Sequence, residues 1–364
     1  MNIKEIKLIN FRNYKEETIV LNEGLNVIVG KNAMGKTNLL ESIYCCGIGK
    51  STKTNKYKEL IKWGEKYSYI KITLSKKYRN HIIEFSIDDQ DKKRVKVDGI
   101  PLLKISDLLG ILNIVFFSPD EMKLIKESPQ ERRRFMDISL SQQFKDYLFS
   151  LNKYNEVLAQ RNKLLKENFK NENIKDMLSI WDFQLIDYGT KIIKYRYEFI
   201  ERIKKYANDV HLVLSDNLEN LVLEYDSFIK YEDDNQMKIN YQNKINENID
   251  KDINLQYTNY GPHRDDIKIF VNNIDIRKFG SQGQQRTASL SLKLAEISLF
   301  KTEIGETPVL LLDDVLSELD ESRRNKLIHI SSNLQTIITC TDFDSDIKYN
   351  RIEIENGRVK NSNK

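Results

Sequence analysis

The stretch Gly30–Thr37 reads GKNAMGKT and follows the pattern G-x-x-x-x-G-K-[ST]. An apolar run, LNVIV, precedes it and a helical pattern follows it, which is the context of a phosphate-binding loop. Backbone N–H groups would wrap around phosphate oxygens, and the helix N-terminus would add partial positive charge. A glycine-containing strand-to-helix turn is the alternative. We predict that Lys36 reaches the β- and γ-phosphates, that Thr37 binds Mg²⁺, and that the other nucleotide contacts are Gly30, Lys31, Asn32, Ala33, Met34 and Gly35.

A second candidate group is VLLLDD, residues 309–314. Four apolar residues indicate a buried strand, and two carboxylates follow at its end. Beside a phosphate loop, we expect Asp313 to hold Mg²⁺, through water, and Asp314 to orient or activate an attacking water. Without that loop, a strand that ends in two aspartates is as often a solvated turn.

A third group lies in FGSQGQQRTASLSLKLAE, residues 279–296. A serine hydroxyl, amides and backbone N–H groups precede a helical pattern, which makes a second anion site at a helix N-terminus. One nucleotide already has its phosphates in the first loop, so a second phosphate-facing surface suggests a second chain across the nucleotide. The alternative is a simple helix cap. The candidate residues are Ser281, Gly283 and Gln284.

Chain length and net charge limit the domain organisation that can position these groups. The chain has 364 residues, which suggests two domains or one head with a large insertion. The net charge of +4 neither requires nor excludes nucleic acid. The three cysteines form no CxxC pair, so we expect them to be reduced. A signal peptide and long apolar runs are not apparent, and we expect a cytoplasmic protein without a membrane span.

The glycine content and the spacing of apolar residues change twice along the chain. Residues 1–121 alternate strand and helix patterns, and residues 256–364 return to them. Between them, residues 122–255 are poor in glycine, and apolar residues recur every three or four positions. Two long helices joined by KENFKNENIKD are predicted there, one of roughly 30 residues. We therefore predict one α/β head, formed by 1–121 and 256–364, with an inserted helical subdomain, 122–255.

The order of these motifs resembles the ATP-binding-cassette (ABC-type) ATPase heads of the SMC and Rad50 proteins, and more closely the RecF family. The stretches that carry the likeness are NFRNY (10–14), the phosphate loop with TNLLESIY, FSPDEMKLIKESPQERRRFMD (117–137), GPHRDDI (261–267), FGSQGQQRTASLSLKLAE and LLLDDVLSELD. They span nearly the whole chain. The insertion also has RecF-like length, whereas SMC chains carry hundreds of coiled-coil residues there.

The resemblance implies an ATP- and Mg²⁺-dependent homodimer with nucleotide sandwiched between two heads. Ser281, Gly283 and Gln284 would face the γ-phosphate bound by the partner subunit's Lys36, so that Lys36, Asp314 and Ser281 serve hydrolysis. Asn32 and Arg12 would also reach the nucleotide, and Ser317, Glu318, Leu319 and Asp320 would lie next to the interface. Asp314 replaces a more usual glutamate, and Gln282 replaces a glycine. Thr339 and Thr341 are the candidates for the switch position.

The resemblance also implies binding to single-stranded or gapped DNA, cooperation with RecO and RecR in loading RecA, support of replication and the SOS response, and weak, DNA-stimulated ATPase activity. Phosphate contacts from basic clusters would be independent of sequence. The alternative for each cluster is a solvated helix face or local ion pairs. The predicted DNA contacts are Lys50, Lys53, Lys56, Arg132 and Arg133, with further cations on the second long helix at Lys191, Lys194, Arg196, Arg202, Lys204 and Lys205.

Two other functions remain open at this point. A non-hydrolysing adaptor could use ATP only to scaffold RecR. An SMC-like structural chromosome ATPase head would use the same motifs, although the short insertion argues against it.

Overall fold

The computed structural model describes residues 1–362 and divides into two compact units. Unit 1 contains residues 1–122, 209–218 and 289–364, and unit 2 contains residues 123–208 and 219–288. The strands are β1 (Asn2–Phe11), β2 (Tyr14–Val20), β3 (Leu25–Val29), β4 (Tyr67–Ser75), β5 (Asn80–Asp88), β6 (Lys93–Val97), β7 (Ile100–Pro101), β8 (Ile114–Phe117), β9 (Leu221–Asp226), β10 (Asp266–Val271), β11 (Ile274–Asp275), β12 (Val309–Asp313), β13 (Thr336–Cys340), β14 (Asn350–Glu355) and β15 (Arg358–Ser362). The helices are α1 (Lys36–Ile48), α2 (Lys123–Lys126), α3 (Pro129–Gln143), α4 (Lys145–Asn168), α5 (Ile174–Leu214), α6 (Asp234–Leu255), α7 (Ile276–Phe279), α8 (Gln282–Ile304) and α9 (Glu321–Ser331).

The main sheet of unit 1 has the order β15-β14-β3-β13-β12-β8. All its neighbouring pairs are parallel except β14 with β15. Every residue of β3, β12 and β13 is buried, as expected for the continuous apolar runs of a covered parallel sheet. The strands predicted from LNVIV and VLLLDD are thereby confirmed, and β13 lies between them in the sheet. Because the three strands are adjacent and parallel, their carboxyl ends meet at one edge.

A second sheet of unit 1 has the order β2-β1-β4-β5-β6-β7 and is antiparallel throughout. Burial alternates along β4 and β5, in agreement with their period-two sequences. A tight turn at Asp98-Gly99 joins β6 to β7, and both residues have positive φ, 54° and 80°. This is the backbone that a two-residue type I′ hairpin requires.

Unit 2 is built around the predicted helical hairpin. Arg161 of α4 forms ion pairs with Asp182 of α5, at 2.6 Å, and with Asp252 of α6, at 2.7 Å. Its side chain is fully buried, so these contacts fix the packing of three helices. Helix α5 has 41 residues, longer than the roughly 30 expected.

The predicted inserted subdomain is helical, but unit 2 also holds the antiparallel sheet β11-β10-β9, which the prediction did not include. Strand β9 pairs with β10 over six residue pairs, from Leu221 with Val271 to Asp226 with Asp266. This pairing explains the difference in boundaries. The first change, predicted after residue 121, is observed after 122, whereas the return predicted at 256 is observed at 289. Residues 209–218, which include the last turns of α5, belong to unit 1, where Leu214 joins the buried core.

Within residues 1–362, no helix combines the length and the apolar character needed to cross a bilayer.

Candidate nucleotide-binding site

The loop from Gly30 to Gly35 connects β3 to α1 and is held by three hydrogen bonds to its carbonyl groups. Asn13 Nδ2 and the backbone N–H of Gly357 donate to the Met34 oxygen at 2.9 and 3.0 Å, and the Tyr14 hydroxyl donates to the Gly35 oxygen at 2.9 Å. Gly35 has φ 114°, and a Cβ there would lie 2.6 Å from Asn13 Nδ2. The β1–β2 turn and the β14–β15 turn therefore fix the loop shape, and position 35 requires glycine.

The lysine of the loop is the first residue of α1. Lys36 is buried, and its ammonium donates to the carbonyl oxygens of Gly30 and Lys31, the latter at 3.1 Å. A pocket of about 270 Å³ lies over the loop, lined by residues 32–38, Lys53, Asp314 and Thr339. The structure thus places the predicted Asn32, Lys36, Thr37 and Asp314 around one concave surface.

Thr37, Asp313 and Thr339 form a hydrogen-bonded group at the carboxyl ends of β12 and β13. Thr37 Oγ1 donates to Asp313 Oδ1 at 2.9 Å, and Thr339 Oγ1 donates to the same oxygen at 2.7 Å. Burial raises the pKa of Asp313, and the two hydroxyl donors and the charge of Lys53 oppose that rise. Hydroxyl and carboxylate oxygens are ligands that Mg²⁺ prefers, so the two predicted metal ligands form a suitable donor set.

Asp314 lies in the left-handed region of the backbone, with φ 51°. Its N–H donates to Thr339, to the hydroxyl at 3.0 Å and to the carbonyl at 3.2 Å. Aspartate tolerates this conformation better than most residues with a side chain. Thr339 therefore orients the Asp313 carboxylate and fixes the backbone of Asp314, a role that goes beyond its predicted candidacy as a switch.

The segment after Asp314 is a short turn that leads into α9. Ser317 Oγ donates to the Asp314 carbonyl at 2.8 Å, and Leu319 is buried. Asp320 caps α9 by accepting from the N–H of Arg323 at 3.0 Å. The predicted interface position of Ser317, Glu318, Leu319 and Asp320 remains a prediction.

Ser281 and Gln284 form a reciprocal cap at the start of α8, in unit 2. The Ser281 N–H donates to Gln284 Oε1 at 3.0 Å, and the Gln284 N–H donates to Ser281 Oγ at 3.2 Å. This arrangement is a capping box with glutamine in the third helical position. Gln284 Nε2 also donates to Glu219, at 2.9 Å, while Ser281 itself is exposed. The helix-cap alternative correctly describes these local contacts, and Gly283 lies within the first turn.

Arg12, another predicted nucleotide contact, forms an ion pair with a buried glutamate of α1. Arg12 binds the Glu41 carboxylate through one edge of its guanidinium, with Nε donating to Oε2 at 2.9 Å and Nη2 donating to Oε1 at 2.8 Å. The predicted contact of Arg12 with nucleotide stays a prediction. Sequence reasoning overlooked Glu41, whose only signal was a charged residue inside the apolar helix pattern LLESIY.

Two of the five predicted DNA contacts have their guanidinium groups engaged within unit 2. Burial contradicts the predicted role of Arg132, whereas that of Arg133 stays a prediction. Arg132 is almost fully buried and pairs with Asp266, and Arg133 donates to the Asp265 carbonyl at 2.7 Å. On α5, the pairs are Lys191 with Asp187, Lys194 with Asp234, Arg196 with Asp137, Arg202 with Glu198 and Lys204 with Glu201. Lys50, Lys53 and Lys56 are all exposed, and Lys53 also lines the phosphate-loop pocket.

Comparison with known proteins gives the family context of this site. The family described as RecF/RecN/SMC N terminal domain matches residues 2–346. The DNA replication and repair protein RecF of Clostridium tetani is 44% identical over 363 residues, which are 99% of this chain and 98% of that protein. The chain belongs to the RecF family.

Solved structures agree with the RecF assignment. The structure of a recombination mediator protein, RecF-ATP of the RecFOR pathway, matches with a TM-score of 0.91 and 37% identity, covering 98% of this chain and 96% of that one. An Smc head bound to the C-winged helix domain of ScpA matches with a TM-score of 0.58 and 18% identity, covering 99% and 96% of the two chains. The second likeness concerns the fold, and the predicted ABC-type α/β ATPase fold is confirmed.

Proposed function

We propose that this RecF-family chain is an ATP-dependent DNA-binding protein of recombinational repair and replication, with weak ATPase activity. The observation that carries the proposal is the group Thr37, Asp313 and Thr339, which lies beside the phosphate loop at the meeting edge of three parallel strands. Open parallel sheets bind their ligands at this edge. The name of the RecF-ATP relative supports ATP as the nucleotide.

Each residue of the pocket has a distinct task in this proposal. Lys36 exchanges its carbonyl partners for the β- and γ-phosphate oxygens. Thr37 and Asp313 hold Mg²⁺, which would neutralise part of the phosphate charge when bound. Asp314, with its backbone fixed by Thr339, accepts a hydrogen bond from the attacking water and aligns it with the γ-phosphate.

The proposal includes a homodimer in which each nucleotide is completed by a second copy. Ser281 is exposed at the N-terminus of α8, and the partial positive charge of a helix N-terminus favours an anion. Ser281, Gly283 and Gln284 of one copy then contact the γ-phosphate held by the partner subunit's Lys36. ATP thus acts as the link between the copies, and hydrolysis releases it.

The dimer binds single-stranded or gapped DNA through its phosphates and acts in the cytoplasm with RecO and RecR to load RecA, in support of the SOS response. The relatives' repair and RecFOR names support these partners. A structural role of the SMC kind is less favoured, because α4 and α5 have only 24 and 41 residues. At 1.5 Å per residue they extend about 36 and 62 Å, too short for long bridging arms.

The proposal is tested by the affinity of the wild type and of Lys36→Ala for gapped DNA, measured by fluorescence anisotropy with ATP, with ADP and without nucleotide. We expect ATP to tighten wild-type binding about tenfold or more and to leave the variant unchanged, since Lys36 provides charge-assisted bonds to phosphate. Wild-type DNA affinity that is equal in all three conditions would contradict the proposal.

A further inference from the structure

The glutamines at positions 284 and 285, near the start of α8, have different partners. Gln285 is buried, and its Nε2 donates to the carbonyl oxygen of Ile276 in α7 at 2.7 Å. Gln284 Nε2 donates instead to Glu219 Oε1, at 2.9 Å. The first turn of α8 is therefore bonded to α7 through one amide and to the segment before β9 through the other.

Glu219 determines which way the amide of Gln284 faces. An ionised carboxylate only accepts hydrogen bonds, whereas a glutamine amide has one end that donates and one end that accepts. Because Nε2 donates to Glu219, the Oε1 atom is left to accept from the N–H of Ser281, at 3.0 Å. With the amide turned by 180°, two donors would face each other at Ser281, and the capping contact would be lost.

The same contacts leave a donor on the side chain of Ser281. Its Oγ accepts from the N–H of Gln284 at 3.2 Å. A hydroxyl that accepts in this way keeps its own proton for a further acceptor, such as a phosphate oxygen. The orientation of the Gln284 amide therefore bears on how firmly the exposed serine is held in a donating position.

The backbone beside Glu219 is fixed by the three-stranded sheet of unit 2. The N–H of Asn220 donates to Asn272 Oδ1 at 2.9 Å, and the N–H of Asn272 donates to the Asn220 carbonyl at 3.0 Å. Strand β9 begins at the next residue and pairs with β10, and β11 leads directly into α7. One sheet thus carries both Glu219 and α7, the two points to which the start of α8 is bonded.

Glu219 also explains why the capping residue is a glutamine. Glutamate serves equally well in a capping box, because only an acceptor is needed for the serine N–H. At position 284 a glutamate would face the carboxylate of Glu219 at hydrogen-bonding distance, and two like charges that close destabilise each other. The pair therefore requires one carboxylate and one amide, and the amide adds no negative charge where a phosphate is expected.

We propose that Glu219 is a positioning residue for the half-site formed by Ser281, Gly283 and Gln284. Through the Gln284 amide it holds Ser281 so that the serine hydroxyl donates to the γ-phosphate on the second copy. This role rests on the proposed ATP-dependent homodimer and adds to it a residue that lies about 60 positions before the motif. It also gives a use to the sheet β11-β10-β9.

The pairing of Glu219 with Gln284 is tested without nucleotide, by urea unfolding of Glu219→Gln, Gln284→Glu and the double variant. We expect Gln284→Glu alone to lower the urea midpoint, because it brings two carboxylates together. The double variant exchanges the amide and the carboxylate and should recover at least half of that shift. Shifts that simply add in the double variant would show that the two side chains do not interact, and would overturn the role of Glu219.

The positioning role is tested by the ATP affinity of the isolated chain and by the dissociation constant of its ATP-bound dimer. Glu219→Ala should weaken the dimer about tenfold, because the serine must then be ordered on binding at two half-sites, and should keep ATP affinity within about twofold. Glu219→Gln retains an acceptor for the Gln284 amide and should dimerise nearly as the wild type does. Glu224→Ala, at an exposed position of β9, is the matched control and should leave both constants unchanged.

The possible outcomes separate this role from the function on which it rests. A wild type that does not dimerise with ATP contradicts the proposed homodimer, and the role of Glu219 in it falls as well. If the wild type dimerises and Glu219→Ala dimerises equally well, the role of Glu219 alone is overturned. Equal losses of ATP affinity and of dimerisation in Glu219→Ala, with a lowered melting temperature, would assign Glu219 to the fold and likewise contradict the positioning role.

Discussion

The two predicted halves of the nucleotide site are held together in different ways. Around the phosphate loop, Thr37, Asp313 and Thr339 come from distant parts of the sequence and meet through hydrogen bonds of 2.9 and 2.7 Å at the end of a buried sheet. Around the start of α8, Ser281 and Gln284 are three residues apart and bond mainly to each other. The first group depends on the whole core of unit 1, and the second depends on one helix turn.

This difference indicates what each half can do alone. A group fixed by a sheet keeps its geometry before a ligand arrives, so little is lost in ordering it. An exposed helix cap keeps its local geometry too, but its side chain is open to solvent rather than enclosed by a core. The loop half should therefore bind ATP in a single copy, and the Ser281 half should matter only in an assembly.

The largest expected effect comes from removing the ammonium of the loop half. Lys36→Ala should weaken ATP binding by about 100-fold, because several charge-assisted bonds to phosphate are lost at once. Lys15→Ala, at an exposed position of β2, is the matched control and should bind ATP normally. Both are measured by isothermal titration of the isolated chain with ATP. Undiminished binding by Lys36→Ala would remove the loop from the account.

The next effect separates binding from hydrolysis within the loop half. Asp314→Asn should lower ATP turnover roughly 100-fold, the usual contribution of a group that orients or deprotonates water, and leave ATP affinity nearly unchanged. Asparagine also tolerates the left-handed backbone at this position, so the fold is kept. Phosphate release is the measurement, with Asp344→Asn, at an exposed position, as control. Normal turnover by Asp314→Asn would remove Asp314 from the hydrolytic mechanism.

A smaller effect tests whether Thr339 has a site role or only a structural one. Thr339→Val removes the hydroxyl that donates to Asp313 and accepts from the Asp314 N–H, and should slow turnover about tenfold while costing about 1–2 kcal/mol of stability. Thr336→Val is a close control, since Thr336 lies on the same strand and its hydroxyl bonds the Ser331 carbonyl. It should lose similar stability in urea unfolding and keep its turnover. Equal turnover in the two variants would assign Thr339 to the core alone.

The smallest effect concerns the stability of the Ser281 half. Ser281→Ala should cost about 1 kcal/mol or less in unfolding, the value of an exposed helix cap. Asp233→Ala, which removes the cap of α6, should cost a similar amount. The two variants should differ in ATP-dependent dimerisation, which only Ser281→Ala weakens. If both dimerise alike, the hydroxyl of Ser281 is a cap and has no part in assembly.

The sequence predicted the loop half well because its signals are local. The phosphate-loop pattern and the apolar runs before Gly30 and before Asp313 can each be recognised from a few neighbouring residues. Their adjacency in the fold follows from the rules of parallel sheets. Burial of Arg132 could not be predicted, since its partner Asp266 lies 134 positions away. Strand β9 was overlooked for the same reason, because its partner β10 follows after helix α6. Lys53 and Lys50 look alike in sequence, and only the structure shows that Lys53 lines the pocket over the phosphate loop.

The central claim is that Ser281 completes a nucleotide site on a second copy. It is tested most directly by analytical ultracentrifugation of the wild type and Ser281→Arg, each with and without ATP, after ATP binding by both has been verified. The account predicts that ATP converts the wild type from monomer to dimer and leaves Ser281→Arg monomeric, because the larger side chain blocks the γ-phosphate. If ATP dimerises both proteins alike, or neither, the account of the second half-site is contradicted.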